Sequence, residues 1–314
     1  PKTRGCHYRK QFYKPSYAYS VYKRTLSEKR KGFYIHEEEA KQIERIITKP
    51  ILQGQSVHHV VSAHKDELTV SEKTIYNYID GGVFELKNID LPRKVRYRAR
   101  KPKVEFKVDK HCAEGRSYED YLTYIKENPV AVVQMDTVKG GIAGKVLLTL
   151  QFVETGFMLA FLRPANTSKS VTAIFNNLDD ILGREAFRKL FPVLLTDNGS
   201  EFSNPLKIEV DTYGEYRTRV FYCQPNRPDQ KGSIEVNHEF IRRVIPKGKS
   251  FDEFTQNDIN LMMSHINSYN RLKLNDRCPY DVFKFFYSED ILTALGIQKI
   301  KADDINLTPK LLKK

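Results

Sequence analysis

Residues 130–162 read VAVVQMDTVKGGIAGKVLLTLQFVETGFMLAFL, and this stretch decides the fold. Residues 130–135, 146–153 and 157–162 are apolar, β-branched or aromatic runs of strand length. Gly140-Gly141 and Glu154-Thr155-Gly156 supply the turns between them, so an antiparallel three-strand meander is expected. Beyond it, Val171, Ile174, Phe175, Leu178, Ile181 and Leu182 recur at helical spacing, and residues 193–196 and 219–223 return to strand character. A meander followed by crossover units predicts a mixed five-stranded sheet flanked by helices, an α/β architecture.

Upstream, the periodicity turns helical. Ala40, Ile43, Ile46 and Ile47 follow an acidic first turn, and Pro50 is expected to stop that helix. Val57, Val60 and Val61 mark a second helix near residues 56–64, and Ser71 is an N-cap for a third whose buried stripe is Ile75, Tyr78 and Ile79. Gly81-Gly82 ends it. Three short helices of this kind form a helix-turn-helix unit, with Glu72, Lys73, Thr74 and Asn77 as groove-facing candidates; an ordinary helical bundle has the same pattern.

Charge favours the first reading. The 314-residue chain carries a net charge of +13, and residues 1–110 hold 25 basic and 13 acidic side chains against 27 and 26 in the remainder. A cationic first third ahead of a near-neutral remainder points to a polyanion-binding module joined to a separately folded domain. Residues 1–35, with Tyr8-Arg9-Lys10 and Tyr22-Lys23-Arg24, show little periodicity and read as a basic aromatic arm. The run Arg93, Lys94, Arg96, Arg98, Arg100, Lys101 and Lys103, with two prolines, reads as a linker lying along phosphates or as a solvated hinge. The divisions are an arm (1–35), a helix-turn-helix domain (36–84), a basic linker (85–128), an α/β domain (129–287) and a tail (288–314). The tail contains Leu292, Leu295, Ile297 and Ile300 but indicates no function.

The four cysteines are widely spaced with no CxxC, which excludes a zinc knuckle or disulfide framework and fits a reducing cytosol. No apolar run approaches the ~20 residues of a membrane span. The first residue is Pro1, so a preceding segment is expected.

Three acids fall where a mixed sheet brings distant residues together: Asp136 ending the first strand, Asp197 after the fourth, and Glu235 on a helix opened by Lys231-Gly232-Ser233-Ile234. Singly each has an ordinary explanation in a turn or on an exposed helix face. Together, oxygen ligands without Cys or His favour magnesium or manganese over zinc. Arg242, two helical turns after Glu235, projects from nearly the same face and is placed to hold a phosphate or to join an intrahelical charge network. Val236, Phe240, Ile241 and Val244 are expected on the buried side.

Four segments carry a resemblance: Met135-Asp136-Thr137-Val138; Leu195-Thr196-Asp197-Asn198-Gly199-Ser200-Glu201-Phe202; Gln230-Lys231-Gly232-Ser233-Ile234-Glu235-Val236-Asn237 with Ile241-Arg242-Arg243; and Tyr269-Asn270 to Pro279-Tyr280-Asp281-Val282-Phe283. They resemble bacterial DDE transposases, above all the insertion-sequence family called thirty, and residues 70–76 look like that family's helix-turn-helix. The resemblance implies a ribonuclease-H-like catalytic core of the retroviral-integrase type. It implies Asp136, Asp197 and Glu235 as a metal-binding triad holding two Mg2+ or Mn2+ ions, with Arg242 catalytic and Arg243 on DNA. It further implies cleavage and strand transfer at terminal inverted repeats of double-stranded DNA, a dimer or larger assembly on that DNA, and a bacterial cytoplasmic, nucleoid-associated location. The Asp197–Glu235 interval is long for the superfamily, which places a small insertion within residues 202–216. A DNA-binding regulator that has lost catalysis and a general nuclease of the same fold are the alternatives; the intact triad disfavours the first and the helix-turn-helix the second.

Overall fold

The computed structural model describes residues 13–29, 33, 35–92, 110–141, 144–225 and 227–312. After a mostly exposed helix α1 (Pro15–Lys29), helices α2 (Glu37–Leu52), α3 (Val57–Ala63) and α4 (Glu72–Asp80) form the helical unit. Their stripes, including Ile43, Ile47, Val60, Ile75 and Ile79, bury one core together with Phe84, Leu86 and Leu91. The Ser56 and Ser71 hydroxyls accept from the backbone N–H of His59 and Thr74, each at 3.2 Å, which satisfies otherwise orphaned donors at the starts of α3 and α4.

The α/β unit begins with α5 (Tyr118–Glu127), then β1 (Val132–Lys139), β2 (Val146–Phe152), β3 (Met158–Arg163), α6 (Ser168–Leu182), α7 (Arg184–Leu190), β4 (Val193–Thr196), α8 (Pro205–Glu209) and β5 (Arg219–Tyr222). Helices α9 (Gly232–Val244), α10 (Gln256–Ser268), α11 (Pro279–Tyr287) and α12 (Glu289–Ala294) complete it. The strand order is β3-β2-β1-β4-β5, with β1–β2–β3 antiparallel and β4 and β5 added parallel to β1. This is the ribonuclease-H-like mixed sheet, and all seven residues of β2 are buried, as a strand covered on both faces requires.

The structure corrects several expectations. Residues 15–29, read as an aperiodic arm, are the helix α1. Pro50 does not stop α2, which continues to Leu52; Ile47, Pro50 and Ile51 are buried in one stripe, and that burial offsets the single hydrogen bond a late proline removes. The 85–128 linker is too wide, because Leu86 and Leu91 belong to the helical core and α5 packs Tyr121 and Tyr124 against Phe221. Arg93 to Lys103 lie outside the described residues, as do residues 1–12 of the arm. Residues 288–312, for which the sequence leaves a packing extension or an assembly element open, pack: Leu292, Leu295, Ile297, Ile305, Leu307 and Leu312 enter the main core. Val236 is 54% exposed, and Ile234 and Asn237 take its place on the buried side of α9. Residues 202–216, where a small insertion is expected, hold α8 and the Val210–Tyr216 bridge.

The helical unit is docked on the α/β unit by polar contacts. Leu307 N–H donates to Gln53 O at 2.8 Å, and Gln55 Nε2 donates to Ala302 O and Ile305 O at 3.0 and 2.8 Å. His58 lies 2.8 Å from both Glu72 and Asp276, linking α4 to the far domain.

Candidate active site

Strand β1 pairs with β2 along Val133–Lys139 but with β4 only over Val132–Gln134. Asp136 therefore lies inside β1, not at its end, and just past the point where its parallel neighbour stops. Asp197 follows β4 directly. The region outside the carboxyl ends of parallel strands is where open α/β sheets bind ligands, since side chains and backbone groups there are released from the ladder.

The N-terminus of α9 is pinned across this opening. Ile234 N–H donates to Gln134 Oε1 at 3.0 Å, and the Lys231 ammonium donates to Met135 O at 3.1 Å. Asn237 Nδ2 donates to Gln151 Oε1 one turn further along. The anchoring sets the Lys231 Nζ 3.6 Å from Asp136 Oδ2 and 3.8 Å from Asp197 Oδ2. Two carboxylates thus share one cationic centre. The Asp197 carboxyl is raised above the usual carboxylate range, foremost by partial desolvation and then by Asp136 and Glu201; Lys231 and the Gly199 N–H oppose the shift.

Beneath the site, the Thr149 hydroxyl is 3.1 Å from Asp136 O and 2.8 Å from His238 Nε2. With the hydroxyl proton given to the carbonyl, His238 Nε2–H is the donor to Thr149. Burial, helped by Lys231 and Arg242, pushes the His238 pKa down to about 4, so the ring is neutral and can play that part. Arg163, 1% exposed, donates to Thr137 Oγ1 and Asn166 Oδ1 at 2.9 Å, tying the residue after Asp136 to the loop before α6.

Of the sequence-predicted site, Asp136 and Asp197 come together. Glu235 is exposed in the first turn of α9, and among the described residues no three Asp, Glu, His or Cys side chains gather closely enough to hold a metal ion. The donor chemistry of the two aspartates, both facing a cation, suits a hard divalent ion; Glu235 does not share that position. Arg242 Nη2 donates to Lys139 O at 2.7 Å, fastening α9 to the end of β1. Arg243 lies 4.8 Å over the Phe240 ring and lines a cleft of about 270 Å3 with Leu91, Pro92 and Leu307, between the two units. Lys73 and Asn77 are exposed on α4, Glu72 is taken by His58, and the Thr74 and Ser71 hydroxyls are 2.9 Å apart at the cap. Lys231, Thr149 and His238 were not singled out from the sequence. For Lys231 the signal was present, four residues before Glu235 and so on the same side of the helix start.

No protein-family model matches the chain. It is 32% identical over 206 residues to the probable transposase for insertion-like sequence element IS1161 of Streptococcus salivarius, covering 64% of this chain and 55% of that protein. It is 27% identical over 213 residues to the putative integrase ORF3 of Spiroplasma virus SpV1-R8A2 B, covering 67% and 62%. Over 91 residues it is 28% identical to transposase InsI for insertion sequence element IS30A of Escherichia coli (strain K12), covering 29% and 23%. The chain thus spans little more than half the length of the first of these. Among solved structures, the catalytic core domain of BIV integrase superposes with a TM-score of 0.35 at 19% identity, covering 52% of this chain and 96% of that one.

Proposed function

We propose that this relative of bacterial insertion-sequence transposases is itself a transposase, one that binds terminal inverted repeats and cuts and joins DNA strands at the site on β1, β4 and α9. The observation that carries the reading is the pair of carboxylates, Asp136 and Asp197, held within 4 Å of one cationic centre at the open ends of adjacent parallel strands. Asp136 and Asp197, joined by Glu235, would hold divalent magnesium or manganese, which when bound polarises phosphodiester oxygens and stabilises the charge that develops on them.

The chain's own residues supply position and charge. Gln134 and Gln151 fix α9 against the sheet, and with it the helix turn that carries Glu235. Thr149 and His238 hold the Asp136 backbone, and Arg242 secures the end of β1. Recognition falls to α4, whose exposed Lys73 and Asn77 face a major groove while the basic residues 93–103 lie along phosphates. Two transposon ends handled together call for a dimer or larger assembly on DNA in the bacterial cytoplasm.

The test is to incubate the protein with labelled duplex carrying the element's ends, and with a scrambled duplex, in magnesium, and map the nicks at nucleotide resolution. End-specific nicks lost in Asp197→Asn support the reading. Normal cutting by Asp197→Asn removes it, and cutting of both duplexes alike makes the protein a general nuclease.

A further inference from the structure

We infer that Lys231 is the resident cation of this site: its ammonium holds Asp136 and Asp197 together before a divalent ion enters, and the ion binds by displacing it. The inference rests on the functional reading above and deepens it.

The Lys231 side chain is buried, yet among the described residues its one hydrogen bond to protein is to Met135 O at 3.1 Å. Both carboxylates lie beyond ordinary hydrogen-bond length, at 3.6 and 3.8 Å, so the ammonium is attracted to two acids and bonded to neither. The position is also an unfavourable one for a cation. Lys231 immediately precedes α9, where the helix presents the positive end of its dipole. Attraction to the two aspartates, 3.6 and 3.8 Å away, holds the side chain in that position. A dication in the same place would interact with both acids at twice the charge and would repel the ammonium, whose four-carbon stem has the torsional freedom to swing away. Lys231 therefore sets the threshold for metal entry: the aspartates stay paired without metal, and the first ion must outcompete a tethered rival.

The test is Mn2+ binding to the full chain without DNA, by isothermal titration calorimetry, for the wild type, Lys231→Gln, Lys231→Arg and Asp136→Asn. Lys231→Gln is expected to bind Mn2+ on the order of tenfold more tightly than wild type, while Lys231→Arg, which keeps the charge, stays near it. Lys231→Met, which preserves the length of the stem, replaces the glutamine variant should that fail to fold. In the wild type itself, Mn2+ should increase labelling of Lys231 by an amine-reactive reagent, read by mass spectrometry. Binding by wild type but not by Asp136→Asn, with affinity unchanged or weakened in the charge-removing variants or with labelling unmoved, overturns the role of Lys231 and leaves the metal site standing. No binding by any of the proteins, or equal binding by Asp136→Asn and wild type, overturns the metal reading and this inference with it.

Discussion

The imidazole of His59 in the helical unit lies face to face with the ring of Tyr269 in the α/β unit, centroids 4.2 Å apart and planes inclined by 16°. Asn270 N–H donates to His59 Nδ1 at 2.9 Å, a bond that only a ring unprotonated at that nitrogen accepts. Burial, reinforced by the charge of Arg271, pushes the His59 pKa down to about 4. His238 and His265 are pushed to about 4 as well, again by burial foremost. Unfolded imidazoles take up protons below about 6.5, so in this window the unfolded chain binds more protons than the native one. The stability these rings contribute is present above pH 6.5 and is lost as pH falls toward 4, at about 1 kcal/mol per pH unit for each. His64 runs the other way: partial burial lowers its pKa, but Glu67 and Asp303 outweigh that, so its contribution fades as pH rises. Three rings against one predict a lower urea midpoint at pH 5 than at pH 7. Equal midpoints would contradict the assignment of neutral buried histidines.

Gly140 and Gly232 should respond oppositely to alanine. A Cβ at Gly140 would sit 2.6 Å from Lys249 O and 3.0 Å from the Phe251 ring, so backbone must move, and Gly140→Ala is expected to cost about 1–3 kcal/mol in urea unfolding. A Cβ at Gly232 meets nothing within 4 Å, and its φ of −57° is helical, so Gly232→Ala should leave the midpoint unchanged or raise it.

Gly199 lies within the candidate site. A Cβ there would be 2.8 Å from Glu201 Oε2 and 3.2 Å from Asp197 Oδ1, both of which are side-chain ends that can shift. Gly199→Ala should therefore keep the melting temperature within a few degrees of wild type while moving the Asp197 carboxylate by a few tenths of an ångström, and DNA cleavage should drop, by less than the roughly hundredfold that a 1 Å displacement at a reacting centre costs. Cleavage at the wild-type rate would show that the position of Asp197 is not critical.

On the helical unit, Lys73→Ala and Asn77→Ala should weaken binding to end-containing duplex, whereas Glu72→Gln should chiefly disturb the pairing with His58 and the seating of the unit. Neutralising Arg93, Lys94, Arg96, Arg98, Arg100, Lys101 and Lys103 should flatten the salt dependence of binding, by about 0.9 in log–log slope for each phosphate no longer neutralised. A slope unchanged by all seven substitutions would remove this stretch from the DNA interface. A deletion beginning at 91 is unsuitable for this test, because Leu91 is buried in the helical core.

What the sequence disclosed and what it hid follow one physical divide. The five strands, the cap at Ser71, and the stripe of α4 rest on alternation, propensity and local hydrogen bonds, all written within a few residues. The packing of α5 on Phe221, the burial of Leu307, and the exchange of Val236 for Asn237 depend on partners far along the chain, which local pattern does not specify. At the site, Asp136 and Asp197 were legible as strand-end acids, but Asp136 proved to be inside β1 because its two neighbours stop at different points. The place of Lys231 between them was not, since it depends on α9 being drawn onto β1 by Gln134.

The hydrogen bonds that Gln55 donates to Ala302 and Ile305, and that Leu307 donates to Gln53, have a consequence for biosynthesis. A chain emerging from the ribosome can complete its three-helix head early, but the seat of that head is complete only once Tyr269, Asp276 and residues 302–307 have all been made. A chain lacking residues 302–312 would keep the contacts of that head to Tyr269 and Asp276 but lose the hydrogen bonds to Gln53 and Gln55, so its seat on the sheet would be looser.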